Sequence, residues 1–79
     1  MAVYTRLTLR SLIPTVIVRL ITDDGEITFR ARWKDSALDL QRNILFRLRQ
    51  GSPLIFEDEW GRTISFPAER ISGAMVDGR

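Results

Sequence analysis

Residues 15–33 read TVIVRLITDDGEITFRARW, and this stretch decides the fold. Thr15–Thr22 is rich in β-branched residues and apolar on both faces apart from Arg19, which is typical of a central strand. Asp24-Gly25 is a strong signal for a two-residue hairpin turn. Because Glu26–Trp33 then alternates apolar with polar residues, the stretch predicts an antiparallel β-hairpin.

The position of the turn sets which side chains face each other across the hairpin. A three-residue turn would mix the polar and apolar faces, so we expect a two-residue turn at Asp24-Gly25. The apolar pairs predicted by this register are Leu20 with Phe29, Val18 with Ala31, and Val16 with Trp33. On the other face it places Arg19 opposite Arg30, and Arg32 opposite Ile17.

A helix follows this hairpin. Ser36 is a natural N-cap residue, and Asp39 lies three residues later at the positive end of the helix dipole. Gly51 is the expected C-terminal stop, and Pro53 prevents continuation. The apolar stripe at helical spacing comprises Ala37, Leu40, Ile44, Leu45 and Leu48.

Shorter strands flank this central part of the chain. Residues 3–9 alternate with period two, and Ile71–Val76 reads as a weaker last strand. Between helix and last strand, a three-residue loop with a left-handed Gly61 predicts a hairpin that pairs Phe56 with Ile64 and sets Asp58 beside Arg62. The predicted order is β-β-β-α-β-β-β, an α+β fold with a mainly antiparallel sheet and one helix packed on one face.

Length and composition exclude several classes of protein. Seventy-nine residues predict a single domain spanning 1–79, and 44% hydrophobic residues argue against a disordered chain. The sequence has no Cys and no His, so it predicts no disulfide, no ordinary zinc site and no histidine- or cysteine-based catalysis. We therefore expect no enzyme activity and no cofactor. The absence of a long apolar run or a signal-peptide pattern predicts a cytoplasmic protein that does not enter membranes.

A cluster of three arginines, Arg19, Arg30 and Arg32, is the first candidate binding site. The predicted register opposes two of them directly, and like charges in that position destabilise a sheet unless an acidic group lies between them. That group is an acid of this chain, a carboxylate of another protein, or a phosphate. The remaining alternative is that the side chains diverge into water. The net charge of +2 is too small to require a nucleic-acid partner by itself.

The outer face of the helix is the second candidate. Phe46 lies opposite the apolar stripe, and Arg42 and Arg49 lie near it. An aromatic ring ringed by arginine is suited to insertion into a partner protein or to stacking on a base. Single exposed apolar residues are also common on protein surfaces.

The outer side of the sheet is the third candidate, because one helix cannot cover both faces. Ile17, Ile21 and Ile55 are predicted to point away from the helix. Either the sheet curls into a partial barrel, or another subunit covers these residues, or they are scattered and harmless.

Two loops remain to be assigned. Trp60 at a loop tip either folds back on Trp33 or a strand, or anchors a contact with a partner. The acidic turns Asp23-Asp24-Gly25-Glu26 and Glu57-Asp58-Glu59 do not match a calcium-loop pattern, so they predict ordinary turns and no metal site.

Residues 51–71, GSPLIFEDEWGRTISFPAERI, carry a resemblance to a known group of proteins. The run of Gly, apolar strand, Asp-x-x-Gly-Arg, apolar strand and Pro-Ala resembles small actinobacterial domains of unknown function. The resemblance implies a helix followed by a hairpin and a bacterial origin, and it implies no activity.

Together these features predict a small non-enzymatic module that self-associates or docks on a protein partner. Its contacts are the apolar residues Phe46, Trp60, Ile17 and Ile21, with acidic groups of the partner accepted by arginine. The alternative is a protein that binds nucleic acid or a nucleotide phosphate through the Arg-rich sheet face.

Overall fold

The computed structural model describes residues 13–78 of the chain. The elements in chain order are β1 (Thr15–Thr22), β2 (Gly25–Arg32), α1 (Ala37–Gln50), β3 (Leu54–Glu57), β4 (Thr63–Phe66), a 3-10 turn (Ala68–Arg70) and β5 (Ile71–Asp77). Within residues 13–78, the predicted α+β class with antiparallel strands and one helix is confirmed. The first predicted strand, residues 3–9, lies outside the described residues.

The strands of residues 13–78 form two small sheets. The first has the order β2-β1-β5, and the second is the β3-β4 hairpin; every pairing is antiparallel. A single bridge between Ala31 of β2 and Asp58, just after β3, connects them. The described strands therefore do not close into a barrel.

The core lies on one face of the three-stranded sheet. Val16, Val18 and Leu20 alternate along β1 and are buried, as the central position of that strand requires. Leu40 and Ile44 of α1 cover this inner face, with the helix lying against β5. The β3-β4 hairpin completes the core on the side of β2, so the opposite face of the sheet is left outside.

Three phenylalanines join the hairpin to the sheet. The ring of Phe29 on β2 lies 5.0 Å from that of Phe56 on β3, edge to face, and 5.8 Å from that of Phe66 on β4 in a stacked arrangement. Phe56 and Phe66 lie 6.1 Å apart. Such distances are those at which aromatic pairs stabilise a core beyond the effect of buried area.

The predicted helix ends are confirmed. The Ser36 hydroxyl accepts a hydrogen bond from the Asp39 N–H at 3.1 Å. Gly51 has φ 74°, and its N–H together with that of Ser52 returns to the carbonyls of the last helical turn. Because glycine reaches this left-handed conformation without a Cβ clash, the helix ends where the sequence predicted.

The apolar stripe of the helix is narrower than predicted. Leu40 and Ile44 are buried, and Ala37 and Leu48 pack against the core. Leu45 is exposed instead, because it lies toward the edge of the stripe where neither sheet reaches it.

The predicted register of the first hairpin is wrong by two residues. Asp23-Asp24 form the turn, and Thr22 faces Gly25. Either type of primed turn at Asp24-Gly25 would need a positive φ at Asp24, whereas of these two residues only Gly25 has one, at 124°. The Thr22 hydroxyl holds the observed turn by accepting from the Asp24 N–H at 3.1 Å and donating to the Gly25 carbonyl at 2.8 Å.

The two-residue shift keeps every side chain on its predicted face but changes its partner. The corrected apolar pairs are Val16 with Ala31, Val18 with Phe29, and Leu20 with Ile27.

The predicted register of the second hairpin is confirmed. Phe56 faces Ile64 and Leu54 faces Phe66. Gly61 has φ 85°, which provides the left-handed residue that the loop needs.

Candidate interaction surface

The face of the three-stranded sheet turned away from the helix carries both apolar and basic side chains. Ile17 is half-buried, Ile21 is 36% exposed, and Met75 of β5 is exposed directly opposite Arg19. We call this the outer sheet face. It matches the prediction that Ile17 and Ile21 point away from the helix, whereas Ile55 lies on the other sheet and does not extend the same patch.

The three arginines predicted to form one cluster have different partners. Across the β1-β2 pair, Arg19 faces Thr28, Arg30 faces Ile17 and Arg32 faces Thr15. The predicted opposition of Arg19 and Arg30 is therefore wrong, and the reason is the displaced turn. No direct like-charge pair exists between these two strands.

Arg19 is matched by an acid of its own hairpin. Its Nε lies 3.0 Å from Oε1 of Glu26. The Nε is buried and not aligned for a hydrogen bond, so the contact is an ion pair. Since both side chains are about half exposed, solvent screens it strongly.

Arg32 joins β2 to the β3-β4 hairpin. Its Nη1 donates to Oε1 of Glu57 at 3.1 Å, and its Nη2 donates to the carbonyl of Glu59 at 3.2 Å. A Cβ on Gly61 would lie 3.2 Å from Nη1, so the guanidinium packs against this glycine. Both Arg19 and Arg32 thus follow the alternative in which the acidic group belongs to this chain.

Arg30 is the member of the cluster left without a carboxylate among residues 13–78. Its Nη1 makes one long contact, 3.4 Å, with the Thr15 hydroxyl. The side chain is exposed at the edge of the sheet. It is therefore the arginine of the three best placed to meet an acid of another molecule.

The outer face of α1 is more apolar than the sequence prediction assumed. Phe46 is 57% exposed, and Arg42 and Arg49 are exposed near it, as predicted. Leu38 and Leu45 are exposed along the same side of the helix. Leu38 and Leu45 lie seven residues apart, so the sequence indicates that they share one side of the helix. The sequence prediction missed this because it assigned Leu45 to the core stripe.

Trp60 lies at the tip of the β3-β4 loop and is 57% exposed. The Arg62 guanidinium lies over its ring at 5.2 Å from the centroid, a cation–π distance. One predicted alternative had Trp60 fold back on Trp33. Trp33 packs against the core and donates its indole N–H to the Ser36 carbonyl at 2.8 Å.

Asp58 organises this loop. Its Oδ1 accepts from the N–H groups of Trp60 and Arg62 at 2.9 and 2.8 Å, and its Oδ2 accepts from Arg62 Nε at 3.0 Å. Burial acts to raise the pKa of the carboxyl, but the two backbone N–H groups and the Arg62 guanidinium outweigh it and lower the pKa below its ordinary value. The carboxylate is thus part of the loop's structure.

The acidic turns do not gather into a metal site. Within residues 13–78, no three side chains of the metal-ligating kinds lie together. A cleft of about 240 Å³ lies beside the first turn, between Asp23-Asp24 and the segment containing Phe66 and Arg70. It is smaller than the pockets that usually hold organic ligands.

Among the described residues, no helix has both the length and the apolar composition needed to cross a lipid bilayer. Searches against family models, curated proteins and solved structures gave no match to this chain.

Proposed function

We propose that this chain is a small non-enzymatic module that binds another protein chain, either a second copy or a different protein. The observation that supports this is the number of large apolar side chains left exposed by a domain of this size. They are Ile21, Ile27, Leu38, Leu45, Phe46, Ile55, Trp60 and Met75. Interface contacts of this kind become favourable when they are buried together with a few matched charges.

The strongest of these surfaces is the outer face of α1. Leu38, Leu45 and Phe46 lie beside Arg42 and Arg49, and neither arginine has an ion-pair partner within residues 13–78. Phenylalanine and arginine are both enriched at protein interfaces, and arginine is among the residue types that contribute most to binding energy. A partner for this face would present an apolar groove with carboxylates at its rim.

The polar groups of the domain support a non-catalytic role. The sequence provides no His or Cys, and the most buried carboxylate, Asp58, is occupied by three hydrogen bonds within its own loop. A general acid or nucleophile needs a group that is free to react with a substrate.

Nucleic-acid binding by the Arg-rich sheet face is the alternative. Two of the three guanidinium groups there already contact carboxylates of this chain, which reduces the charge offered to phosphate. Binding that weakens steeply with salt would favour this alternative, because phosphate contacts release counterions.

The experiment is sedimentation velocity over about a hundredfold range of concentration, combined with affinity capture of partner proteins. Phe46→Asp is compared with wild type and with the control Asn43→Asp, which adds the same charge to the exposed side of the same helix. We expect Phe46→Asp, but not the control, to reduce self-association or to lose a captured partner. A chain that stays monomeric, with the same captured proteins for all three variants, would contradict the proposal.

A further inference from the structure

The backbone of β2 offers hydrogen-bonding groups along its outer edge. The Trp33 N–H donates to the Pro14 carbonyl at 3.1 Å, which marks residues 14 and 33 as a hydrogen-bonded pair. Bonded pairs recur at every second residue of an antiparallel ladder. Phe29 and Ile27 therefore bond to β1, and the N–H and C=O of Glu26 and Thr28 point away from it.

This edge is open only over a short stretch. Glu26 and Thr28 are exposed, and in the part of the chain from 13 to 78 their outward backbone groups have no hydrogen-bond partner. Farther along, Asp58 lies beside Ala31 and blocks the edge. The opposite edge of the sheet, on β5, is covered by α1, because Gln41 Oε1 accepts from the Val76 N–H at 3.4 Å.

We propose that this open edge binds the same edge of a second copy of the chain, antiparallel, about a two-fold axis at Ile27. The inference rests on the proposed function and adds to the helix face a second surface, through which the interaction module binds a copy of itself. This pairing joins two three-stranded sheets into one continuous sheet. Exposed sheet edges commonly bind another strand in this way.

The register follows from the positions that the edge leaves open. An axis at Ile27 pairs Glu26 of each copy with Thr28 of the other, and each pair exchanges two backbone hydrogen bonds. An axis at Thr28 would place Gly25 of the second copy beside Ala31, and Asp58 already occupies that position. An axis at Glu26 would set the two glutamates directly opposite each other, which is unfavourable.

The side chains fit the same register. Ile27, which is 37% exposed, meets Ile27 of the second copy at the axis, so two apolar side chains become buried against each other. Arg30 comes diagonal to Glu26 of the second copy and lies close to its Asp23-Asp24 turn, where the chain leaves the strand. The arginine without a carboxylate among the described residues thus meets two acids, and the two-fold repeats the match.

Charge reversal tests this geometry directly. Arg30→Glu and Asp24→Arg should each lower the self-association constant by at least about tenfold, because each brings like charges close together across the two-fold axis. The two variants mixed in equal amounts should form a heterodimer with affinity near that of wild type. Arg47→Glu, which makes the same charge change at an exposed arginine of the helix outside both proposed surfaces, is the control. Sedimentation velocity measures association, and circular dichroism checks the fold.

A second variant does not depend on charge. Thr28→Pro removes an N–H that points away from β1, so the hairpin is kept while the edge loses a donor. We expect this variant to be folded and monomeric.

The inference would be overturned if wild type showed no self-association, or if the mixture failed to recover the affinity that its components lost. Self-association that survives Arg30→Glu, Asp24→Arg and Thr28→Pro but is lost in Phe46→Asp would also overturn it. In that last case the proposed function would stand, with the helix face as the interface.

Discussion

Replacing Arg32 by alanine, compared with replacing Arg30, tests whether one arginine of the predicted cluster is structural. The two residues lie two positions apart on β2, on the same face of the sheet. Arg32 bonds to Glu57 and to the Glu59 carbonyl, whereas Arg30 makes only a long contact with Thr15. Arg32→Ala should therefore lower the free energy of unfolding much more than Arg30→Ala.

The magnitude follows from the contacts of Arg32. The half-exposed ion pair with Glu57 contributes about 0.5 kcal/mol, and the charged hydrogen bond to the Glu59 carbonyl contributes about 1.5–2 kcal/mol. The buried Nε has no hydrogen-bond partner within residues 13–78, which costs about 1 kcal/mol that the alanine recovers. The net loss is about 1–1.5 kcal/mol, and we expect Arg30→Ala to change stability by less than about 0.5 kcal/mol.

Urea unfolding followed by circular dichroism measures both variants. The domain as a whole is worth only about 4–12 kcal/mol at this length, so a loss of this size shifts the midpoint measurably. Equal effects of the two substitutions would refute the conclusion that Arg32 holds the hairpin to the sheet. So would stabilisation by Arg32→Ala, since it would mean that the unpartnered Nε outweighs both contacts.

Three further substitutions test the fold and its loops. Phe56→Ala should lower the free energy of unfolding by about 3–5 kcal/mol and leave the domain largely unfolded. Phe56→Leu should retain most of the stability. If urea denaturation showed similar losses for the two variants, the ring contacts would contribute little. For Asp58→Asn, the lowered pKa of the wild-type carboxyl sets the direction of the pH effect. The charged carboxylate stabilises the folded state at pH values above its ordinary pKa of 3.8, and this stabilisation is lost as pH falls through the folded-state pKa. Wild type should therefore lose stability in acid more steeply than Asp58→Asn, and parallel pH profiles would contradict the role given to this carboxylate. Gly51→Ala should lower the melting temperature, because φ 74° costs alanine about 1 kcal/mol, and an unchanged melting temperature would show that the helix end relaxes.

The parts of the fold that the sequence predicted correctly are those with local causes. The cap at Ser36, the stop at Gly51 and the loop at Gly61 each depend on one or two residues whose conformation is chemically restricted. The alternation of β2 likewise identified its two faces, and the predicted pairing with β2 assigned the faces of β1. These signals act over a few residues, so they can be read without knowledge of the rest of the chain.

The errors arose where a choice depended on a side chain or on distant packing. Asp24-Gly25 is a stronger turn signal than Asp23-Asp24, and the difference was made by the Thr22 hydroxyl, which bonds on both sides of the turn. The two-residue shift was invisible to the pattern of faces, because strand side chains repeat with period two. It nevertheless separated Arg19 from Arg30 and so removed the opposed pair on which the anion site depended.

The corrected register changes which charges remain for a partner. Arg19 with Glu26, Arg32 with Glu57 and Arg62 with Asp58 each tie together two neighbouring parts of the chain, so these charges serve the fold. Arg30 differs from these three arginines. It lies between the blocked edge at Ala31 and the open backbone of Glu26 and Thr28, and it has no carboxylate partner in the described chain. An acidic turn two residues before that open backbone supplies the complementary charge. Because antiparallel pairing reverses the order of residues, a strand with acids at its start and a cation near its end is complementary to itself, and this favours a second copy over an unrelated strand.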